Sequence, residues 1–270
     1  MAWTIRRRDV VMGLLGFSVW ATKGQATRPA PHIPTGLIAG GRGRVTAVLS
    51  GDRLDLDDGT RVQLAGIQAP RRGTIHARAE PLAADVTSAL GQLTLGQHVA
   101  LHLPQEPTDR WGRTVAHLVR DEDGLWIQDA LLRRGLTRVR TFPGTATGAR
   151  MMLELERTAR AGRLGLWAHR YFRVRNPDET WGDLDSFQLV EGRVVDAAVV
   201  RGTGYLNFGR DWRRDFTLRL KPRVRAIFDR SGLDPRSLIG QRIRSRGWVF
   251  PTNGPMIDLT HIEQLEVLEE

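Results

Sequence analysis

Acids cluster early in the chain. The stretch SGDRLDLDDG, residues 50–59, carries Asp52, Asp55, Asp57 and Asp58, and Glu80 follows further on. Carboxylates can hold a hard cation through their oxygens or take a proton from water. Arg71 and Arg72 lie between them and Glu80, and guanidinium groups bind phosphate oxygens. These charges also have simpler readings. Asp57-Asp58-Gly59 has the composition of a turn. Asp55 stands three residues beyond Asp52, so the two face opposite sides of a strand unless a bulge intervenes. Glu80 precedes Pro81 at an expected helix start, where the helix dipole favours an acid. For Arg71 and Arg72 the simpler reading is solvated loop charges.

Two other clusters invite chemistry. His98 and His102 lie in GQHVALHLP. That segment has strand character, and four residues of strand cover about 13 Å, too far for both to grip one ion. No Ser/His/Asp arrangement, phosphate loop or H-E-x-x-H pattern stands out. Further on, Tyr205, Phe208 and Trp212 are interleaved with Arg210, Arg213 and Arg214. Single strands are gripped this way, bases on rings and phosphates on cations. Alternation puts Tyr205 and Asn207 on one face and Leu206 and Phe208 on the other. Phe208 is therefore expected in the core, and Trp248 with it. Tyr205, Trp212 and Arg213 are the candidates for nucleic-acid contact in this half.

The elements that would position these residues are mostly strands. GRVTAVLSGDRLDLDDGTRVQLAGI alternates apolar and polar residues, with turns at Ser50-Gly51-Asp52 and Asp57-Asp58-Gly59. Residues 79–93 have helical spacing, GQHVALHLP is a strand, and RTVAHLVRDEDGLWI reads as a hairpin about Asp123-Gly124. Two amphipathic helices follow in IQDALLRRGLTRV and ARMMLELERTARAGRLGLW. This order predicts a small closed barrel with helices at its flank. After a linker, strands at FQLVEGRVVDAAVV, GYLNFG and DFTLRL, a helix at RVRAIFDRSGL and further strands to QLEVL fit a second barrel of oligonucleotide/oligosaccharide-binding (OB) type. The expected fold class is mainly β with flanking helices, as two small OB-type β-barrels. The expected boundaries are an export signal at 1–26, a linker at 27–40, a barrel domain at 41–172, a linker at 173–185 and an OB-like domain at 186–270.

The formal net charge is +10, which favours polyanionic partners. Lys23 and Lys221 are the only lysines among 40 Lys and Arg residues. Arg-biased coding alone would produce that, so a solvated basic surface stands beside a nucleic-acid footprint. With no cysteine, disulfides, thiolate zinc sites and a lipidated Cys anchor are excluded. The N-terminus pairs Arg6, Arg7 and Arg8 with an apolar run from Val10 to Ala21 and small residues after it. This is the pattern of an export signal, and Arg7-Arg8-Asp9-Val10-Val11 resembles a twin-arginine signal. The run falls short of the ~20 residues a stable membrane span needs. The expected location is periplasmic or secreted, with N-terminal membrane anchoring as the alternative.

Four separated motifs carry a family resemblance. They are VLSGDRLDLDDGTRVQLAGIQAP, then TDRWGR at 108–113, then ALLRRGLTRV, then GLW at 165–167. In this order and spacing, residues 43–170 resemble the thermonuclease (staphylococcal-nuclease-like) family, and the first barrel is identified as thermonuclease-like. YLNFGRDWRRDFTL at 205–218 resembles the barrel appended in bacterial relatives. The resemblance implies Ca²⁺-dependent hydrolysis of DNA and RNA phosphodiesters. Such chemistry needs carboxylates to hold the ion, a carboxylate base for the water, and arginines for charge on the phosphoryl oxygens. By that resemblance Asp52 is a retained metal ligand and Arg113 a retained catalytic Arg. Gln63 stands where the first catalytic Arg belongs, Gln68 replaces the metal-binding Asp, and Arg71 replaces the Glu that activates water. An amide cannot act as a base near neutral pH, and an Arg repels a cation.

The functional expectation is an exported, thermonuclease-like pseudoenzyme. It would bind nucleic acid or another polyanion through Arg71, Arg113, Tyr205, Trp212 and Arg213 without efficient cleavage. No cofactor is expected, with Ca²⁺ only if the protein is active as in the family. The alternatives are an active Ca²⁺-dependent phosphodiesterase with relocated acids and an envelope protein–protein scaffold.

Overall fold

The computed structural model describes Met1, residues 33–75 and residues 78–269. The expected export segment beyond Met1, and residues 27–32 of the first expected linker, lie outside the described residues.

The first unit is built from β1 (Ile38–Ser50), β2 (Arg53–Leu56), β3 (Arg61–Leu64), β4 (Ile67–Gln68), α1 (Ala83–Thr94), β5 (His98–Leu103), β6 (Thr114–Arg120), α2 (Ile127–Arg133), β7 (Arg138–Val139) and α3 (Ala149–Ala161). Strands β1-β2-β3-β6-β5 form a closed barrel. Closure rests on the length of β1. Its first half pairs with β5, from Ile38↔Leu103 to Arg44↔His98, and its second half pairs with β2. Register shifts between Ala39 and Arg42, Val45 and Ala47, and Val48 and Ser50 bend it between the two partners. The alternation that predicts strands also fills the interior: Val45, Leu54, Val62, Leu64, Val99 and Leu118 are buried in one core. β1 starts at Ile38, inside the expected linker 27–40. The expected hairpin at 114–127 keeps β6 but reduces its second strand to one bridge, Val119↔Trp126. Trp126 is the N-cap of α2, so the chain turns helical where the strand would continue.

The second unit contains β8 (Ser186–Arg193), β9 (Asp196–Val200), β10 (Thr203–Asn207), β11 (Thr217–Leu220), α4 (Pro222–Arg230), β12 (Arg242–Pro251), β13 (Pro255–Leu259) and β14 (Leu265–Val267). They form a seven-stranded sheet. Its pairings repeat the partner order of the first barrel. β8 pairs antiparallel with β12, β9 with β10, β10 with β11 and β12 with β13, while β11 and β13 run parallel as β3 and β6 do. β8 and β9 together play the part of β1, interrupted at Val194-Val195, and β14 adds an edge on β12.

The stretch 173–185 joins the units but is tightly held. Buried Arg175 makes a two-pronged bond to Asp183 at 2.7 and 3.0 Å, and its backbone N–H donates to Leu189 O. Pro177–Asp183 is a run of 3₁₀ turns. The two units also share buried contacts. Ala159, Trp167, Phe187 and Leu189 pack together. Arg138 donates to Phe187 O at 2.9 Å, and Thr141 and His261 are hydrogen-bonded at 2.7 Å.

Two buried imidazoles give a pH prediction. Burial pushes both His117, on β6, and His261, at the seam, down to about 4. Their folded values lie below the ordinary 6.5, so the neutral form is the one folding favours. The stability each contributes is complete above pH 6.5 and is lost as pH falls toward 4, by up to about 3 kcal/mol each. The thermal midpoint is therefore expected to drop steeply between pH 6.5 and 4, and less steeply in His261→Asn. An unchanged midpoint across that window would contradict the assignment.

Candidate nucleic-acid interface

The first turn after β1 sets the site. A side chain at Gly51 would meet Ala69 and Val86 at 2.7 and 2.5 Å, so only glycine lets the Ser50–Asp52 turn press against the chain beyond β4. This contact lets Asp52 bridge two segments: its Oδ1 accepts from the Ser50 hydroxyl at 2.7 Å and its Oδ2 from the Ala69 N–H at 3.2 Å. Gly66, at φ 72°, turns the chain from β3 into β4, which delivers Gln68 next to β7. The Gln63 amide donates to Asp52 O at 3.1 Å.

Arg140, just past β7, was absent from the sequence candidates. It donates to Gln68 Oε1 at 3.2 Å, and its guanidinium lies 5.1 and 5.4 Å from the ring centroids of Phe142 and Phe187. Among the described residues no carboxylate forms an ion pair with it. Burial pushes its pKa below the ordinary value, Asp52 opposes that shift, and the nearby charges of Arg110 and Arg71 add to it. A cation thus sits on Gln68, within electrostatic reach of Asp52. The sequence signal was the alternation in Arg138-Val139-Arg140, which places both arginines on one side of a short strand opposite β4.

Arg71 is not a free loop charge. Glu80 is buried and its carboxylate accepts from the Arg71 N–H at 2.9 Å and from Arg71 Nε at 2.8 Å. This corrects the expectation that Glu80 serves the helix start: the N-cap of α1 is Leu82, without a side-chain cap, and Glu80 holds Arg71 instead. The Arg71 guanidinium also lies 5.6 Å from the Trp248 ring centroid. Trp248 is 38% exposed, which corrects its expected core position. On β12 it is Val249 that points inward, and alternation fixes only that the two differ.

Arg113 sits in a tight loop before β6. Asp109 accepts from the N–H groups of Trp111 and Arg113 at 2.9 and 3.0 Å and from Arg113 Nε at 2.6 Å. Trp111, 64% exposed, has Arg110 4.0 Å and Arg113 4.6 Å from its ring centroid. The parallel pairing Val62↔Thr114 brings this loop beside β3 and Gln63.

Asp52, Gln63, Gln68 and Arg71 are thus gathered with Arg140 at one mouth, with Arg113 one strand away. Tyr205, Trp212 and Arg213 are not part of it. Tyr205 is half-buried on β10 opposite Arg219. Trp212 and Arg213 stand exposed at the β10–β11 tip, the guanidinium 4.6 Å from the ring centroid. The remaining acids are engaged elsewhere. Asp55 pairs with Arg61 at 2.9 Å, while Asp57 and Asp58 accept from the N–H groups of Arg44 and Thr60. Among the described residues no group of three or more acids and histidines is placed to hold a metal ion. No described helix is long and apolar enough to cross a membrane.

The fold defines the class: a five-stranded closed β-barrel protein with arginines gathered at one mouth. Residues 61–169 match the family model "Staphylococcal nuclease homologue". "Protein ParB" of Escherichia coli is 30% identical over 47% of this chain and 72% of its own length. "Micrococcal nuclease" of Shigella flexneri is 30% identical over 52% of this chain and 78% of its own. "Thermonuclease" of Staphylococcus intermedius is 25% identical over 46% and 74%. The chain belongs to the staphylococcal nuclease homologue family. That membership supports a nucleic-acid-related function; the match stops before the second unit.

Proposed function

We propose that this protein binds nucleic acid, or a similar polyanion, at the Arg140 mouth and does not cleave it efficiently. The observation that carries the proposal is the guanidinium of Arg140 on Gln68, facing Asp52. A calcium ion gathers six to eight oxygens, several of them anionic. The mouth offers one carboxylate, already accepting two hydrogen bonds, and an amide oxygen taken by an arginine. This donor set does not fit calcium. A phosphate fits the same place, because Arg140 supplies a half-buried cation and Arg71 and Arg110 add positive potential. Among the described residues of the mouth no group is left to serve as general base: Gln63 and Gln68 are amides, and Asp55 and Glu80 are held by arginines.

On this reading the second unit is an OB-like barrel, for which the partner order gives support. The chain is exported to the periplasm or beyond, as its leader pattern suggests. An active phosphodiesterase with relocated acids has less support, since each relocated acid has another partner. An envelope scaffold remains the outcome if no polyanion binds.

The test is a labelled single-stranded oligonucleotide with purified protein, with and without Ca²⁺. Salt-sensitive binding without cleavage is expected. Arg140→Gln is expected to weaken binding about tenfold at low salt, the value of one charge-assisted hydrogen bond of about 1.5 kcal/mol. It should also lower the slope of log K against log salt by about 0.7. Cleavage abolished by a calcium chelator would refute the proposal.

A further inference from the structure

The outward face of the second sheet continues the mouth. Tyr205 on β10 pairs with Arg219 on β11, and Arg219 with Asp258 on β13. On β12, Trp248 pairs with Phe187, and Phe250 with Met256. The strand neighbours Leu206, Leu218, Ile257 and Val249 are all buried, so Tyr205, Arg219, Trp248 and Phe250 face away from that core, while Phe187 and Met256 beside them are buried. Arg140, Phe142, Trp248 and Phe250 line one groove of about 220 Å³. Trp248 and Phe142 are exposed, and Phe250 and Tyr205 are half-buried.

Cations alternate with rings along this face. Arg71 lies 5.6 Å from the Trp248 ring, Arg140 5.1 Å from Phe142, and Arg219 5.5 Å from Phe250. Asp258 binds Arg219 through two bonds of 2.6 and 3.0 Å and takes Lys221 at 3.3 Å. That fixes the Arg219 guanidinium edge-on to Asp258 and leaves its flat surface for stacking. Strands lie about 4.8 Å apart, so the three steps from β12 to β10 span ~14 Å.

We propose that this row is a track for single-stranded nucleic acid, with one phosphate on Arg140 and successive bases stacked on Trp248, Phe250 and Tyr205. The proposal rests on the phosphate-binding reading of the mouth and names the form of nucleic acid that reading leaves open. Rings offered on an open face stack with unpaired bases, whereas a duplex hides its base faces. An acidic peptide would use the arginines but gain nothing from the rings.

The test compares a fluorescent twelve-nucleotide dT strand with an abasic strand of equal length, by anisotropy at low salt. The abasic strand keeps the phosphates and lacks the bases. The intact protein is expected to bind the dT strand at least tenfold tighter than the abasic one (order of magnitude from base–aromatic stacking). Trp248→Ala and Phe250→Ala should each lose at least about fivefold on dT and little on the abasic strand. Trp248→Phe should keep most of the difference, and Arg140→Gln should weaken both strands. Equal binding of both strands by the intact protein overturns the track and leaves the phosphate site standing, with no variant needed. Equal losses on both strands in the alanine variants overturn it as well, as does tighter binding of a duplex than of the dT strand. Failure of the intact protein to bind either strand removes the phosphate site first and the track with it.

Discussion

Arg246→Ala is expected to lower the unfolding free energy by about 3–5 kcal/mol, read as a shift in the urea midpoint. Arg246 on β12 and Glu156 on α3 are almost fully buried, and they tie the second unit to the first. Arg246 Nη1 meets Glu156 at 2.9 Å and donates to Val139 O at 3.1 Å, and Nη2 meets Glu266 at 2.6 Å. Glu156 also accepts the Val139 N–H at 2.7 Å, so the network holds β7, the strand that carries Arg140 to the mouth. Burial works against the Arg246 charge, but the two carboxylates outweigh it and its pKa rises above the ordinary value. Removing the arginine leaves two buried carboxylates with only longer arginine contacts, such as Arg160 at 3.4 Å for Glu156 and Arg244 at 3.6 Å for Glu266, and that loss of compensation for desolvation is the source of the cost. Arg246→Met with Glu156→Gln removes both charges from the pair and keeps an acceptor for Val139. The double variant is expected to lose about half as much as Arg246→Ala alone. A loss under 1 kcal/mol in Arg246→Ala would show that the pair contributes little.

Restoring the family's charges at Gln63, Gln68 and Arg71 is expected to fail while Arg140 stays in place. Gln68→Asp puts a carboxylate, one methylene shorter, next to the guanidinium that now meets Gln68 Oε1 at 3.2 Å, so the new acid is expected to pair with the arginine before it can hold calcium. The combination Gln63→Arg, Gln68→Asp, Arg71→Glu and Arg140→Ala frees that carboxylate. It should raise Ca²⁺-dependent cleavage by about 10² or more over the same variant with Arg140 retained, since it returns both the metal pocket and a base. Arg71→Glu keeps its backbone bond to Glu80 but faces that acid as a like charge, which limits the gain. The measurement is release of nucleotides from single-stranded DNA with calcium and with chelator. Equal activity with and without Arg140 would show that the arginine does not occupy the ion's place.

Local chemistry made much of the fold legible. Alternation in residues 43–67 predicts strands because one face of each must enter the core, and Val45, Leu54, Val62 and Leu64 do so. Phe208 is buried as its parity implies. The loop that holds Arg113 was visible as Asp109 four residues before it, with Gly112 between. Parity failed where a strand carries large residues on both faces. Val249 and Trp248 are both apolar, so alternation carries no sign that the smaller one fills the core.

The order of the strands, the acids missing from the family motif and the excess of arginine all follow from the chain's own residues, because period, turn chemistry and charge are local properties. Only the tertiary structure brought Arg140 onto Gln68, 72 residues earlier, and set Arg71 between Glu80 and Trp248. Those contacts depend on how β4 meets β7 and how the two units press together, and long-range packing of that kind leaves no periodic trace in a single sequence.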